Sequence, residues 1–423
     1  MTPAERFPVI GTGQGLFESL KAYYERALFC TAFGSAVSIL FSIAISQILL
    51  GIGLLLLILG RPALHFPPIK LPLALFFIAT ILADLLSGDP LAGIPQIKKF
   101  YVFAIIVLIS SAFRSVTRFT ILLISWAAIA VLSAGAGFAQ VLARRQYAVH
   151  LKWVTDYDYY LDDRIRGFAS HWMTFGAEQM IVLLMLLSFL LFACPKRWRI
   201  LAWSCAAILW ISLMLGLTRS IFLLGVPLGV LYLLSAFKPW TVALVPILAL
   251  ASYIVMPFQV RERVWSVVSP HGEMDSNSFR SVTRRTGWEM VKRHPWLGLG
   301  PEEIRPSFES YVPPGIPRPL PPGWYGHLHN IYLQYAAERG VPALCFLLWM
   351  VGKMVIDFAR ALRAGTVSPQ HRYILHGAIA VVIAILAAGF FEYNLGDSEV
   401  LTMFLAVTTA AYATIRMDGE TCS

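Results

Sequence analysis

Arg219 is the most unusual charged residue of this chain, because it stands in GLTRSIFLL with apolar runs directly on either side. A charge at such a depth is costly and by default marks a substrate or ion site, although an arginine that snorkels to the headgroups is the plain alternative. Its planar guanidinium forms paired hydrogen bonds and keeps its charge, which suits a diphosphate. The position therefore predicts an anion site at a membrane surface.

Further arginines lie in two other segments and are expected to join Arg219. Arg164 and Arg166 stand in DDRIRGFASHWMTFG, and a later stretch holds Arg280, Arg284 and Arg285. Several arginines from separate segments would neutralise a departing diphosphate without a metal. Each of them taken alone is equally well explained by a solvated basic face.

Two histidines, His327 and His329, stand two positions apart just before a predicted helix. Histidine is the side chain best placed to accept a proton near neutral pH, so general base catalysis, metal ligation and a polar loop are all open. The HLH pattern lacks a clear third ligand, and we expect no metal and no cofactor. Nearby Trp288, Trp324 and Tyr325 would stack on sugar faces, although aromatic residues also gather at membrane interfaces.

Acidic residues form two further candidates. Glu392 and Asp397, in FFEYNLGDSE, either orient partners or cap helix ends. Paired aspartates hold divalent ions on diphosphate substrates, but a short acidic tract is more simply a solvated one. That tract is DYDYYLDD, with Asp156, Asp158, Asp162 and Asp163.

The elements that position these residues are membrane helices. The chain is 57% hydrophobic and only 14% charged, with a mean hydropathy of +0.67, which is outside the range of soluble domains. No glycine-rich phosphate loop occurs, which argues against an ATP-driven mechanism. The composition predicts an all-α polytopic protein embedded in a lipid bilayer.

Apolar runs long enough to cross the bilayer predict about twelve transmembrane helices. The continuous apolar stretch over 28–60 is too long for one crossing and predicts a helical hairpin with a polar break at Ser46 and Gln47. The predicted spans lie near 28–44, 45–60, 71–86, 100–113, 119–141, 176–194, 200–217, 221–237, 241–258, 340–358, 373–391 and 399–415.

The orientation follows from the short loops, because Lys and Arg close to a span resist translocation. An amino terminus on the cytoplasmic side puts nearly all short-loop Lys and Arg inside, and only Lys98 and Lys99 oppose this arrangement. The net charge of +10 is therefore explained by topology and an anionic membrane surface, and it requires no nucleic acid.

Two outer segments, 142–175 and 259–339, are longer than a connection requires and are expected to carry function. They divide the chain into a membrane part over 1–258, a large loop region over 259–339, and a second membrane part over 340–423. Within the large loop, Ser278 to Arg293 predicts a helix that ends before Pro295, since the residue before a proline resists the helical region. A proline-rich stretch then predicts extended chain.

These motifs together resemble the bacterial O-antigen ligase and polymerase superfamily. RIRGFASHWMTFG, LTRS, RRTGWEMVKRHPWLGLGPEE and HNIYLQYAAERG look like the motifs of that family, and they follow in the family's order. His329 and Asn330, nine residues and then Gly340 fit the ligase signature, whereas Ala343 departs from its last position.

The resemblance implies a GT-C-like, metal-independent glycosyltransferase of the bacterial inner membrane with its active site facing the periplasm. The donor would be a glycan on undecaprenyl diphosphate and the acceptor the lipid A-core. Arg219 and Arg284 or Arg285 would hold the diphosphate, and His329 would act at the acceptor hydroxyl. An O-antigen polymerase and a protein O-oligosaccharyltransferase remain alternatives, and a transporter is a more distant one; the oligomeric state is left open.

Overall fold

The computed structural model describes residues 13–151, 164–269, 276–321 and 323–422, and these residues form helices and no strand. We number the α-helices in chain order. They are α1 Gly13–Ser38, α2 Ile43–Gly60, α3 Lys70–Leu85, α4 Ile94–Lys98, α5 Ala104–Ala112, α6 Val116–Leu151, α7 Trp172–Phe192, α8 Arg199–Leu215, α9 Val226–Phe237, α10 Leu244–Val255, α11 Phe258–Trp265, α12 Ser276–Arg293, α13 Ile304–Tyr311, α14 Ile331–Ala364, α15 Arg372–Ala388 and α16 Ser398–Cys422.

Each of the predicted spans coincides with a helix, and the fold is all-α. In the described part of the chain, nine helices are long and apolar enough to cross a membrane. The remaining three predicted spans fall on α1, on α3 and on the shorter apolar stretch Pro239–Val255. The architecture fits a multi-pass membrane protein, while a count of twelve spans stays a prediction.

The hairpin of α1 and α2 turns at residues 39–42, so the expected break at Ser46 and Gln47 is wrong. Ser42 caps α2 by accepting a hydrogen bond from the backbone N–H of Ile45 at 3.3 Å. Ser46 lies inside α2, where its hydroxyl donates to the carbonyl of Ser35 at 2.8 Å and the Ser35 hydroxyl donates back to the carbonyl of Ser46 at 2.9 Å. Ser46 therefore lies at the contact between the two helices, because its hydroxyl donates a hydrogen bond to a backbone carbonyl of the facing helix.

Helix α6 continues to Leu151, so the first outer segment begins as helix rather than as the connection expected from residue 142. The acidic tract with Asp156, Asp158, Asp162 and Asp163 lies outside the described residues. The segment ends earlier than expected as well, because His171 caps α7 by accepting a hydrogen bond from the backbone N–H of Met173 at 3.2 Å.

Helices α7, α15 and α16 form the centre of the bundle. In their most apolar stretches, 72% to 83% of the residues are buried, against 22% in α2. Helix α2 instead exposes Ile48, Leu55, Ile58 and Leu59, as expected for a face turned to acyl chains. Candidate residues such as Glu392 and Asp397 lie in the loop between two of these buried helices, α15 and α16.

The large outer segment folds as a small helical layer. Helix α12 confirms the helix predicted over Ser278 to Arg293 and begins two residues earlier. Helix α13 was not predicted, and it packs through Ile304 and Phe308 onto Met290 of α12. The described residues of the proline-rich stretch 312–330 contain no helix, as expected.

A kink at Gly340, inside α14, separates the first turns of this helix, which contact the helical layer, from its long apolar part. Gly340 has φ 79° and ψ 163°, and a Cβ there would lie 2.0 Å from the carbonyl oxygen of Trp296. The turn after α12 packs closely against this part of α14. The N–H of Leu299 donates to the carbonyl of Ala337 at 2.8 Å, and the N–H of Val341 donates to the carbonyl of Pro295 at 2.8 Å. Only glycine combines this backbone conformation with such close approach.

Candidate active site

His329 stands directly before α14 and is held by the cap of that helix. The Asn330 side chain accepts a hydrogen bond from the N–H of Leu333 at 2.9 Å and donates one to the carbonyl of Phe390 at 2.9 Å. The cap therefore fastens the start of α14 to the loop between α15 and α16. His329 itself has φ 48°, a left-handed conformation that is uncommon away from glycine and that recurs at functional sites.

His327 supports His329 from one side. The two rings are 3.9 Å apart between centroids, and the backbone N–H of His329 donates to Nδ1 of His327 at 3.3 Å. Burial, together with the neighbouring His329, lowers the pKa of His327 to about 3. His327 is therefore neutral near pH 7, with Nδ1 as acceptor and its proton on Nε2.

Glu392 is the carboxylate on which several of these elements converge. Its Oε1 accepts hydrogen bonds from Arg280 at 2.6 Å and from the Ser220 hydroxyl at 3.1 Å. Burial opposes ionisation of this side chain, but the adjacent Arg280 guanidinium outweighs it and lowers the pKa of Glu392 to about 2. A fixed negative charge therefore stands inside the protein close to His329.

The second oxygen of Glu392 faces His329. Oε2 lies 4.0 Å from Nδ1 of His329, which is too long for a hydrogen bond. Both atoms are buried, and neither has a hydrogen-bonding partner within the described residues. Buried polar atoms without partners are costly and point to function.

Arg219 precedes a π-helical turn, Ser220–Gly225, of the kind often found at functional sites. Its side chain is 7% exposed. Nη1 donates to the Ser266 hydroxyl at 3.0 Å, and Nη2 donates to Oδ1 of Asn277 at 2.7 Å. The guanidinium is thus oriented by protein groups rather than extended into solvent.

One cavity of about 460 Å³, which we call the arginine cavity, brings the main candidates together. Three arginines from two separate segments meet His329 there: Arg219, Arg280 and Arg284. Guanidinium groups on one wall and an imidazole on another can hold an anion while a proton is removed nearby.

The other predicted site residues lie elsewhere. Arg285 and Trp288 are exposed on α12 and do not belong to the described lining of the arginine cavity. Tyr325 packs between Phe279 and Phe308, with centroid distances of 4.8 and 4.5 Å.

The early pair of arginines is also apart from the arginine cavity. The Arg164 guanidinium lies 5.0 Å from the ring centroid of Trp172. Arg166 is exposed, and its backbone N–H donates to Gln140 at 3.1 Å. Neither side chain belongs to the described lining of that cavity.

A second cavity of about 660 Å³, which we call the acidic cavity, is lined by Glu392, whose carboxylate also contacts Arg280 and Ser220 of the arginine cavity. Glu392, Asp397 and Glu399 line it, together with His327 and Trp324. Burial raises the pKa of Asp397 to about 6, and the Thr174 hydroxyl donates to this carboxyl at 2.9 Å. Carboxyl, imidazole and indole groups together suit the hydroxyls and apolar faces of a sugar.

The acidic residues around these cavities do not form a metal site. Within the described ranges, no group of three or more His, Cys, Asp or Glu is arranged to hold a metal ion. Arg280 and Ser220 already occupy one oxygen of Glu392.

Sequence reasoning missed Ser220 and Asn277, and it left the role of Glu392 open. Ser220 follows Arg219 directly, so its position next to a predicted site residue could have identified it. Asn277 had no such signal, because its contact with Arg219 joins residues that are 58 positions apart. Glu392 is 112 positions from Arg280, and only the folded chain pairs them.

Comparison with known proteins gives a match to a family model. Residues 172–348 match the model of a family described as O-Antigen ligase. The matched range contains Arg219, α12 and His329, and the match confirms the superfamily that the four motifs indicated. A comparison with curated proteins found no match.

Proposed function

We propose that this chain, whose residues 172–348 match the O-Antigen ligase family model, transfers an O-antigen glycan from undecaprenyl diphosphate to a sugar hydroxyl of lipid A-core at the periplasmic face of the bacterial inner membrane. The observation that carries the proposal is the arginine cavity, which places Arg219, Arg280 and Arg284 beside His329. The diphosphate lipid is already activated, so the reaction needs no nucleotide and no metal.

In the proposed reaction, His329 takes the proton of the acceptor hydroxyl. The hydroxyl oxygen at the same time forms a bond to the anomeric carbon of the donor glycan. The bond between that carbon and the diphosphate oxygen breaks, and undecaprenyl diphosphate leaves with the bonding electrons, so the anomeric configuration inverts. Arg219 and Arg284 stabilise the charge that develops on the diphosphate. The acidic cavity offers the space for the acceptor sugars.

Glu392 has a positioning and electrostatic role in this scheme. When His329 becomes an imidazolium, its Nδ1 lies 4.0 Å from the ionised Glu392. Glu392 therefore places a negative charge beside the imidazolium that the proposed reaction forms, without touching the substrate.

The test is glycan transfer in vitro with purified protein, a defined lipid-linked donor and lipid A-core. We expect His329→Ala to lower the transfer rate about 10²- to 10⁴-fold, the usual contribution of a general base. The matched control is His294→Ala, in the same outer segment, where the histidine is bonded to Tyr311 at 2.6 Å and is not among the described residues of either cavity wall. Undiminished transfer by His329→Ala would remove the proposed base.

The acceptor and the metal are tested in the same assay. Transfer to a second lipid-linked repeat would identify a polymerase, and transfer to a protein hydroxyl would identify a protein O-oligosaccharyltransferase. Loss of activity in EDTA would contradict the metal-free mechanism and direct attention to the aspartates of the tract 156–163.

A further inference from the structure

A third cavity, of about 580 Å³, lies at the end of the helix bundle opposite His329. Helix α14 starts at the candidate active site, kinks at Gly340 and reaches this cavity with Arg360, after about 29 Å of straight helix from Val341 at 1.5 Å per residue. Helix α16 also leads from the site to this end, where Arg416 lines the cavity. The space is therefore separate from the proposed catalytic groups, and we call it the basic cavity.

The lining of the basic cavity carries more positive than negative charge. Four cations, Lys70, Lys353, Arg360 and Arg416, face one carboxylate, Asp357. Asp357 is already used, because Lys353 donates to it at 2.8 Å and the Tyr412 hydroxyl donates to it at 2.8 Å. Among the described residues, no carboxylate lies within ion-pair distance of Lys70 or Arg360. The excess of positive charge in the lining therefore favours the binding of an anion.

The cavity also has an apolar edge. Leu64 lines it and is 63% exposed, and the adjoining ends of α2 and α3 expose Leu59 and Leu71. Exposed leucines at the end of a membrane helix are suited to acyl chains, whereas cations at the same level are suited to headgroup phosphates. A ligand that satisfies both parts is amphipathic and negatively charged.

We propose that the basic cavity binds the phosphate group of an anionic membrane phospholipid in the leaflet opposite the candidate active site. The Arg360 and Lys70 side chains hold the phosphate, and the acyl chains lie along the exposed ends of α2 and α3. A pocket of this size accommodates a small-molecule headgroup. This inference does not depend on the proposed transferase activity.

The experiment measures phosphatidylglycerol binding to the full-length protein in a neutral detergent by native mass spectrometry. The variant K70Q/R360Q should raise the dissociation constant about 25-fold, since each cation near an anionic surface contributes about 1 kcal/mol, or about five-fold. Phosphatidylcholine should bind more weakly than phosphatidylglycerol to the unaltered protein. Equal binding of the two lipids would overturn the proposal.

The matched control is K196Q/R363Q, which removes the same two charges from exposed positions at the same end of the bundle. It should leave the dissociation constant nearly unchanged, and an equal loss in both variants would reveal diffuse attraction and overturn the site. The charge-preserving pair K70R/R360K should retain binding. Displacement of the lipid by millimolar inorganic phosphate would show that the cavity takes free phosphate, which would overturn the lipid assignment.

Discussion

At the residue scale, the chemistry of His329 depends on a buried carboxylate. Glu392 remains ionised through its contact with Arg280 and stands 4.0 Å from Nδ1 of the histidine ring. In the proposed transfer, this carboxylate would face the imidazolium that forms when His329 accepts a proton.

Arg219→Lys tests whether the shape of the guanidinium matters in addition to its charge. Arg219 is oriented through both Nη atoms, and lysine has no planar fork with which to replace these bonds. We expect the transfer rate to fall about 10- to 100-fold, since a charged hydrogen bond contributes about 1.5–3 kcal/mol. The control Arg285→Lys alters an exposed arginine outside the described lining of the arginine cavity and should have little effect. Full activity of Arg219→Lys would indicate that the residue merely snorkels.

The raised pKa of Asp397 predicts that the stability of the folded protein depends on pH. Its pKa is raised from 3.8 to about 6 in the folded protein, so between these values the folded state retains a proton that the unfolded state has released. The stabilisation from this proton is complete at low pH and is lost as the pH rises through about 6. Asp397→Asn removes the titration.

Thermal unfolding in detergent between pH 4.5 and 7.5 measures this effect. The unfolding temperature of the unaltered protein should fall by a few degrees relative to Asp397→Asn as the pH rises, and the difference should become constant above about pH 7. Asp89→Asn, at an exposed position, should follow the unaltered protein. Parallel curves for the unaltered protein and Asp397→Asn would contradict the raised pKa.

At the element scale, the candidate site is assembled from four pieces of chain. Arg219 lies directly before the π-helical turn, and α12 carries Arg280 and Arg284. His329 lies just before α14, and Glu392 lies in the loop after α15. Hydrogen bonds between helix ends fix their relation, such as the N–H of Ile331 to the carbonyl of Gly389 at 2.8 Å. The site is therefore as rigid as the helix ends that form it.

Gly340→Ala tests the joint between α14 and the outer helical layer. The new Cβ would lie 2.0 Å from a backbone oxygen, at a φ of 79° that alanine rarely adopts. We expect a marked fall in unfolding temperature and in the yield of folded protein, together with loss of transfer. The control is Gly352→Ala in the same helix, where a Cβ meets no atom within 4 Å and stability should be unchanged or higher by about 0.5–1 kcal/mol. Equal stability of the two variants would contradict the role of the kink.

At the scale of the whole molecule, the two ends of the bundle differ in chemistry. One end carries the arginine and acidic cavities with the outer helical layer, and the other carries the basic cavity and short loops. Such an asymmetry suits a protein whose substrates arrive from a single leaflet. The distribution of Lys and Arg predicts that the end with His329 faces the periplasm.

Labelling of single cysteines tests this orientation. In a background without the five natural cysteines, a cysteine at Arg285 should react with a membrane-impermeant maleimide in intact spheroplasts. A cysteine at Arg363, which is exposed at the other end, should react only after the membrane is permeabilised. The reverse pattern would invert the topology and place the proposed transfer on the wrong side of the membrane.

The sequence by itself determined the long apolar helices and the residue types of the site. Runs of apolar residues define membrane helices because the bilayer forces every backbone group to be satisfied within the segment, so a local pattern suffices. Arg219 was also recognisable from a local pattern, because a charge is costly between two apolar runs. His329 was recognisable through the signature that begins at its own position.

Only the tertiary structure decided which of these residues meet. It selected Arg284 over Arg285 for the arginine cavity, because the two point in different directions from one helix. It also joined Glu392 to Arg280 and Asn277 to Arg219 across 112 and 58 positions. Such pairings arise from helix packing between distant segments, and no local pattern of hydrophobicity or charge records them.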